Sequence, residues 1–417
     1  MRASVKNHNE TPDANPNHTL PDAPNLPLSD RDRYSRQVLF AGIGHSGQQL
    51  LARAHVAIVG VGATGAAAAG LLARAGVGHL TLIDRDFVEP SNLQRQMLFD
   101  EADARAALPK AEAARRHLAL INSAIDVTAH ITDLVPHNAP DLLSADIVLD
   151  CTDNFETRYL INDLCVRDGR PWIYTAAVGA YAATMNILPR TAGNPPTDFS
   201  SRPDAAFSTP TDLSSRPEAA FSAAAVERPA ASTPSDLTFQ PTACLACIFP
   251  APPSGNIETC ETAGILSTAV NLAASLQVTE ALKFLTAQPH LMRRSLVSFD
   301  LWSGDHSEIS TTTPRPDCEV CGQRIFRALS GDQRPHITLC GRNSVQIHEH
   351  HRPIDLEILR QRLAPLGQIQ DVRANGLLLR FSYAPYTLTV FPDGRALIQG
   401  TTDIGLARSL YARFLGS

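Results

Sequence analysis

Three glycines and an aspartate have the spacing of a turn that binds phosphates and a ribose. Gly60, Gly62 and Gly65 follow a G-x-G-x-x-G pattern, and Asp84 comes about 20 residues later, as in nucleotide-binding βαβ units. Glycines let the backbone approach phosphates, and the N–H groups at the start of the next helix attract anions. Asp84 would accept hydrogen bonds from ribose hydroxyls. Taken alone, the pattern indicates a nucleotide site and is most typical of nicotinamide or flavin enzymes.

The polar side chains after Asp84 favour a triphosphate over a dinucleotide. Asn92, Arg95 and Gln96 follow the second predicted strand, and Lys110 comes shortly afterwards. Backbone amides largely satisfy a dinucleotide pyrophosphate, whereas a triphosphate carries more charge and gains from fixed cations. Two cations beside one crevice therefore favour ATP over NAD. An NAD-binding oxidoreductase is the alternative from another class.

A second acidic residue follows another short apolar strand. Residues 147–150 have the composition of a buried parallel strand, and Asp153 comes just after it. Such sheets bind ligands beyond the carboxyl ends of their strands, and Mg²⁺ prefers one or two carboxylates together with phosphate oxygens. Asp153 is therefore a candidate Mg²⁺ ligand. The structural alternative is an N-cap of the helix predicted at 156–168, a position that aspartate also favours.

Five cysteines are candidates for metal or thiol chemistry. Cys244 and Cys247 form one C-x-x-C pair, and Cys318 and Cys321 form another. Together the two pairs complete a tetrahedral thiolate set for a structural Zn²⁺. A redox-active pair is the alternative, but neither pair has the thioredoxin-like βαβ setting that this requires. Cys260 precedes a long predicted helix and is either a candidate nucleophile or an ordinary packed thiol.

Alternating strands and helices must position these residues. Short apolar runs predict strands, and Ala- and Leu-rich or amphipathic runs predict helices. The predicted strands lie at 56–59, 80–83, 127–131, 147–150, 172–177, 182–188, 295–301 and 307–311. The predicted helices lie at 66–75, 111–121, 156–168 and 265–285, the last of them apolar on most faces and therefore buried. This order indicates an α/β fold.

Length and composition bound the remaining possibilities. The 417 residues are enough for two or more domains, and the net charge of −6 argues against a nucleic-acid partner. No apolar run approaches the roughly 18 residues of a membrane span, and the N-terminus has no apolar signal core. We therefore expect a cytoplasmic protein without a membrane partner.

Composition also divides the chain. Residues 1–27 are rich in Asn, Pro, Asp and His and predict a disordered tail. Residues 190–241 are mostly Pro, Ser, Thr and Ala, with TDFSSRPDAAFS repeated as TDLSSRPEAAFS, and predict a low-complexity insertion. Residues 330–417 predict a small C-terminal α+β domain. Its strands are predicted at 338–348, 377–383, 386–391 and 396–399, and its helices at 355–366 and 403–414.

Four motifs carry a family resemblance. GVGATG, LIDRDFVEPSNLQRQ, LPKAEAA and CTDN resemble the ThiF/MoeB enzymes, which adenylate ubiquitin-like proteins. In bacteria these enzymes serve the sulfur carriers of molybdopterin and thiamin-thiazole synthesis. The resemblance runs from about residue 28 to 323 and implies a Rossmann-like ATP-binding domain over 28–324, with a mixed sheet and the zinc site. The chain departs from the family at Ala63 and Thr64, where many relatives have Gly-Leu.

The resemblance also implies a reaction. The C-terminal Gly-Gly carboxylate of a sulfur carrier would attack the α-phosphate of ATP, giving an acyl-adenylate and pyrophosphate. The expected carrier is MoaD-like, for molybdopterin; the alternatives are a ThiS-like carrier, for thiamin, or another peptide carboxylate. A non-catalytic, zinc-stabilised protein that kept the fold is a further alternative.

The resemblance assigns roles to individual residues as well. Asn92, Arg95, Gln96 and Lys110 would contact the phosphates, and Asp153 would hold Mg²⁺. A homodimer is expected, in which Arg36 reaches the ATP of the neighbouring subunit. In some relatives a cysteine at the position of Cys260 takes part in sulfur transfer through a covalent link to the carrier.

Overall fold

The computed structural model describes residues 30–190, 240–251, 263–330, 337–339, 344–347 and 353–415. The predicted tail at 1–27, residues 191–239 of the predicted insertion, and Cys260 lie outside the described residues. The domain boundaries therefore stay predictions. The described chain forms one eight-stranded sheet and one six-stranded sheet, each with helices packed against it.

The elements of the first sheet and its helices alternate along the chain. Its strands are β1 (His55–Val59), β2 (His79–Ile83), β3 (Asp126–His130), β4 (Ile147–Asp150), β5 (Trp172–Val178), β6 (Tyr181–Ile187), β7 (Ser295–Asp300) and β8 (His306–Ser310). Its helices are α1 (Asp30–Arg33), α2 (Ser35–Leu39), α3 (Gly44–Arg53), α4 (Ala63–Ala75), α5 (Glu101–Ala106), α6 (Lys110–Ile121), α7 (Ala139–Leu142), α8 (Phe155–Asp168), α9 (Leu245–Ile248), α10 (Ser267–Leu285) and α11 (Arg327–Ser330).

The order of the strands places a ligand crevice. The sheet runs β3-β2-β1-β4-β5-β6-β7-β8, with parallel pairing from β3 to β5 and antiparallel pairing from β5 to β8. The predicted α/β fold with a mixed sheet is thus confirmed. The chain leaves β1 towards β2 on one side and returns through β4 on the other. Open α/β sheets bind ligands at such a switch point, beyond the carboxyl ends of the strands.

Two helices begin more than one residue away from their predicted starts. Helix α4 begins at Ala63 rather than 66, because Gly62 is its N-cap and Gly65 lies inside the first turn. Helix α10 begins at Ser267 rather than 265. The residues before it are held to the β5–β6 turn, where Gly179 N donates to Gly264 O at 2.9 Å and Leu266 N donates to Gly179 O at 2.8 Å. Both helices end where the sequence predicts.

The C-terminal sheet is antiparallel, in the order β11-β12-β13-β14-β10-β9. Its strands are β9 (Ile337–Leu339), β10 (Ser344–Ile347), β11 (Gln370–Asn375), β12 (Leu378–Tyr383), β13 (Tyr386–Val390) and β14 (Ala396–Gln399). Its helices are α12 (Leu356–Leu363) and α13 (Ile404–Leu415), which share one apolar core with the sheet. The predicted single strand at 338–348 is wrong, because the structure has two strands there, β9 and β10, which pair antiparallel with each other.

None of the helices in the described ranges combines the length and hydropathy that a membrane span requires.

Candidate active site

The glycine turn closes the carboxyl end of β1 against the end of β4. Gly60 has φ +84°, and a Cβ there would lie 2.7 Å from Cys151 O. A Cβ on Gly65 would lie 1.9 Å from Gly60 O. A Cβ on Gly62 would meet nothing closer than Gln96 Nε2, at 4.0 Å. The first and third glycines are therefore required by packing, whereas the second faces the open crevice.

This difference predicts that alanine substitutions at Gly65 and Gly62 affect different properties, stability in the first case and ATP binding in the second. Gly65→Ala forces a methyl group onto the Gly60 carbonyl, and we expect it to lower the free energy of unfolding by about 2 kcal/mol. Gly62→Ala is expected to leave the melting temperature unchanged but to weaken ATP binding, because its methyl group fills space beside the turn. Thermal unfolding and calorimetric ATP titration of both variants test this. Equal melting temperatures for the two variants would contradict it.

Asp84 lies at the end of β2 and holds the glycine turn. Its Oδ2 accepts a hydrogen bond from Val61 N at 2.6 Å, and its Oδ1 accepts one from Asp86 N at 2.7 Å. Burial raises the pKa of this carboxyl, and the nearby Lys110 ammonium opposes that rise. Sequence reasoning did not find the contact to Val61. The role of Asp84 in binding ribose stays a prediction.

Lys110 is a buried cation fixed by the loop after β2. It is the first residue of α6 and is only 2% exposed. Its Nζ lies 3.2 Å from Asp86 Oδ2, and its backbone N donates to Asp86 O at 2.8 Å. A lysine buried with one carboxylate partner keeps further donors for an anion in the adjoining crevice.

The segment after Glu89 turns its polar side chains in different directions. Asn92 is buried, and its Oδ1 accepts from Glu89 N at 3.1 Å, which caps a short 3₁₀ turn. Arg95 is half-buried, and its Nη1 donates to Ser91 O at 2.8 Å. Gln96 is 3% exposed, and its buried Oε1 has no hydrogen-bond partner in the described part of the chain. Its Nε2 is the atom nearest to a Cβ placed on Gly62, so this amide can donate a hydrogen bond to a ligand beside the glycine turn.

Asp153 does not cap α8. The N-cap is Asn154, whose Oδ1 accepts from Thr157 N at 2.9 Å, so the capping alternative for Asp153 is wrong. Asp153 is exposed, on the turn that packs against the Gly60 backbone at Cys151 and Thr152. An exposed carboxylate without a capping role is available to a hydrated cation.

Arg158 holds this turn in place by hydrogen bonds from the protein interior. It is buried, with Nε 3.2 Å from Asp150 Oδ2, and its Nη2 donates to Thr152 O at 2.6 Å and Thr175 O at 3.1 Å. Its guanidinium therefore joins the end of β4 to the middle of β5. These contacts give Arg158 a structural role.

The two C-x-x-C pairs meet in one cluster. The four thiol sulfurs lie within 4.8 Å of one another, with Cys244 Sγ 3.6 Å from Cys318 Sγ and Cys247 Sγ 3.3 Å from Cys321 Sγ. Sulfurs in a tetrahedral Zn²⁺ site with bonds of about 2.3 Å are about 3.8 Å apart, so the cluster fits this metal. Arg315 N also donates to Cys247 Sγ at 3.4 Å, as befits a thiolate.

Helix α8 supports both halves of this cluster. Asn162 Oδ1 accepts from Leu245 N at 3.0 Å, behind the first pair. Asp163 accepts from Ala328 N at 2.8 Å, behind the second pair, and burial raises the pKa of this carboxyl to about 6. Sequence reasoning did not assign these two roles. The available signal in the sequence was that this helix has no separate polar face, which indicates that some of its polar residues are buried.

Two predicted residues are not brought into this crevice by the described chain. Arg36 is exposed on α2, and its predicted role requires a second subunit. Cys260 falls outside the described residues. Both roles stay predictions.

Comparison with known proteins identifies the family. Residues 34–320 match the model of the ThiF family. The chain belongs to the ThiF family. The sulfur carrier protein ThiS adenylyltransferase of Bacillus subtilis is 40% identical over 388 residues, covering 92% of this chain and 99% of that protein. The adenylyltransferase and sulfurtransferase MOCS3 of Mus musculus is 33% identical, covering 80% of this chain and 65% of that protein.

These relatives settle the class of this ThiF-family protein. It is an enzyme of the adenylyltransferase class, as predicted, and not a nicotinamide-dependent oxidoreductase. The chain spans only 65% and 53% of the MOCS3 proteins of mouse and Sus scrofa. The crystal structure of Escherichia coli MccB with ATP is 22% identical, with a TM-score of 0.52 over 70% of this chain and 75% of that one, and supports the fold alone.

Proposed function

We propose that this ThiF-family protein adenylates the C-terminal carboxylate of a ubiquitin-like sulfur carrier protein, with ATP as the second substrate. The observation that carries the proposal is the polar border of the open glycine turn. The amide nitrogen Gln96 Nε2, a hydrogen-bond donor, is the atom nearest to a Cβ placed on Gly62, and the turn carrying Asp153 packs against Gly60. Lys110 supplies a buried cation near the same strand ends. Together these groups can stabilise the negative charge that is brought together when a carboxylate attacks a triphosphate.

The chemistry requires positioning rather than covalent participation of the enzyme. A carboxylate oxygen of the carrier attacks the α-phosphorus, the bond to the β-phosphate oxygen breaks, and pyrophosphate leaves with the electron pair. The carboxylate is already ionised at neutral pH, so no general base is needed. Gly60, Gly62 and Gly65 would bind the phosphates, Asp84 the ribose, and Asn92, Arg95, Gln96 and Lys110 the phosphate charge. Asp153 would hold the Mg²⁺ that neutralises the leaving pyrophosphate.

The proposed carrier is of the ThiS type. The Bacillus subtilis relative is named for ThiS, and its match covers nearly its whole length, including the C-terminal region of this chain. The MOCS3 relatives extend well beyond the part that this chain matches. This favours the thiamin alternative over the molybdopterin pathway that the motifs led us to expect.

Three further roles belong to the proposal. The four-cysteine cluster would hold a structural Zn²⁺, since its sulfurs are close enough and the metal would have no open position for a substrate. The protein would act as a homodimer, with Arg36 reaching the ATP of the neighbouring subunit. Cys260 would take part in sulfur transfer after adenylation.

ATP–pyrophosphate exchange tests the proposal. Purified protein is incubated with Mg²⁺, ATP, labelled pyrophosphate and a ThiS-type or a MoaD-type carrier, each ending in Gly-Gly. We expect exchange with the ThiS-type carrier and none when its last glycine is removed. Exchange with the MoaD-type carrier alone would move the protein to the molybdopterin pathway. No exchange with either carrier, while ATP binds, would overturn the proposed substrate.

A further inference from the structure

The C-terminal sheet packs directly on the loop that follows β2. Leu378 and Leu397 of that sheet, with Phe391 just after β13, bury Phe87 and Ala107 in one apolar cluster. The same loop carries Asp84, which holds the glycine turn, and Asp86, which forms an ion pair with Lys110. The C-terminal sheet therefore packs against the loop that carries residues proposed to bind ATP.

Arg395 is a buried charged residue in this contact. It follows the Pro392-Asp393-Gly394 turn and is 3% exposed. Its Nη2 donates to Ile131 O at 2.8 Å, and its Nη1 lies 3.7 Å from Asp133 Oδ2. Its Nε donates to Asp393 Oδ2 at 2.6 Å within its own turn. One side chain thus joins the C-terminal sheet to the segment after β3.

A series of alternating charges continues from Arg395 to Lys110. Asp133 pairs with Arg85 Nη1, Arg85 Nε lies 3.9 Å from Asp86 Oδ1, and Asp86 Oδ2 lies 3.2 Å from Lys110 Nζ. All five side chains are mostly buried, so solvent screens their interactions poorly. These ion pairs therefore connect the contact at Arg395 to the Lys110 ammonium.

We propose that Arg395 is a positioning residue for ATP, acting through Asp133, Arg85 and Asp86 on Lys110. The proposal rests on the proposed function of that crevice. Without Arg395, Asp133 would draw Arg85 more strongly and away from Asp86. Asp86 would then attract Lys110 more strongly, and the ammonium would be held back from the phosphates.

A second arginine of the C-terminal sheet acts on the same loop. Arg380 lies 3.4 Å from Glu89 Oε1, and its guanidinium lies 4.6 Å from the centre of the Phe87 ring. It is more exposed than Arg395, so we expect its removal to perturb folding less. This makes Arg380→Ala the second variant in the test.

Exchange kinetics with the full-length chain test the proposal. We expect Arg395→Ala to raise the KM for ATP about fivefold and Arg380→Ala to raise it about twofold. The KM for the carrier is expected to be unchanged in both variants. Arg395→Lys is expected to raise the KM for ATP less than Arg395→Ala does. In the double variant, the effects of Asp133→Asn and Arg395→Ala on this KM are expected to be less than additive. The matched control is Arg360→Ala, an exposed arginine of α12 whose ion pair with Glu357 lies within its own helix.

Calorimetric ATP binding separates this proposal from the proposed function. If the wild type binds ATP but exchanges with no carrier, the substrate proposal fails, and a loss of ATP affinity in Arg395→Ala still supports the positioning role. An unchanged KM and an unchanged affinity for ATP in Arg395→Ala would overturn the positioning role. If Arg395→Ala does not fold, unchanged values in both Arg395→Lys and Arg380→Ala would overturn it. An equal effect in Arg360→Ala would overturn it as well.

Discussion

Cys247→Ser is expected to release zinc and to destabilise the protein by about 5 kcal/mol or more. Free energies of zinc binding in small structural sites reach about 10–16 kcal/mol, and part of this is lost when one thiolate becomes a hydroxyl. Cys247 lies against Cys244 and Cys321 and accepts from Arg315 N, so one substitution disturbs both pairs. Zinc content per chain and the melting temperature are the two measurements.

The control for this prediction is Cys165→Ala. Cys165 is fully buried on α8, and burial raises the pKa of its thiol, but it lies outside the four-cysteine cluster. We expect this variant to keep one zinc per chain and to lose less stability, since only a small cavity is created. Full zinc occupancy in Cys247→Ser, or an equal loss of zinc in both variants, would contradict the assignment.

Asp153→Ala is expected to lower the rate of ATP–pyrophosphate exchange by about 10²- to 10³-fold, without lowering the melting temperature. The rate falls because one charge-stabilising group is lost beside the phosphates, an effect of that size in many enzymes. The melting temperature is unchanged because Asp153 is exposed and Asn154 makes the cap. The measurement is the exchange rate at several Mg²⁺ concentrations, where the deficit is greatest at low Mg²⁺.

Two neighbouring residues provide matched controls for Asp153. Glu156→Ala removes an exposed carboxylate from the first turn of the same helix and is expected to keep the exchange rate. Asn154→Ala removes the cap and is expected to lower the free energy of unfolding by about 1 kcal/mol. A normal exchange rate in Asp153→Ala, or a loss as large in Glu156→Ala, would contradict the role of Asp153.

The nucleotide-binding half of the fold was predictable because its signals are local. The glycine spacing, the apolar strand runs and the Ala-rich helix all lie within about thirty residues, the length of one βαβ unit. The structure has β1, α4 and β2 at those places. The cysteine pairs were predictable for another reason, since few chemical roles fit two C-x-x-C pairs.

Long-range contacts could not be predicted in the same way. The hydrogen bond from Val61 to Asp84 and the ion pair of Arg158 with Asp150 depend on how loops end beside one another. The same holds for Arg395, which lies 264 residues from its acceptor at Ile131. Strand β11 was missed because its sequence QDVRAN lacks apolar alternation. At that edge of the sheet, pairing with β12 determines the structure more than local propensity does.

The most direct test of the central claim is the intact mass of the carrier after reaction. The protein is mixed with ATP, Mg²⁺ and a ThiS-type carrier, quenched in acid and analysed by mass spectrometry. We expect the carrier to gain one adenylyl group, which hydroxylamine removes, and the same carrier without its last glycine to gain nothing. An unmodified Gly-Gly carrier, in the presence of protein that binds ATP and has full zinc content, would contradict adenylation of a sulfur carrier.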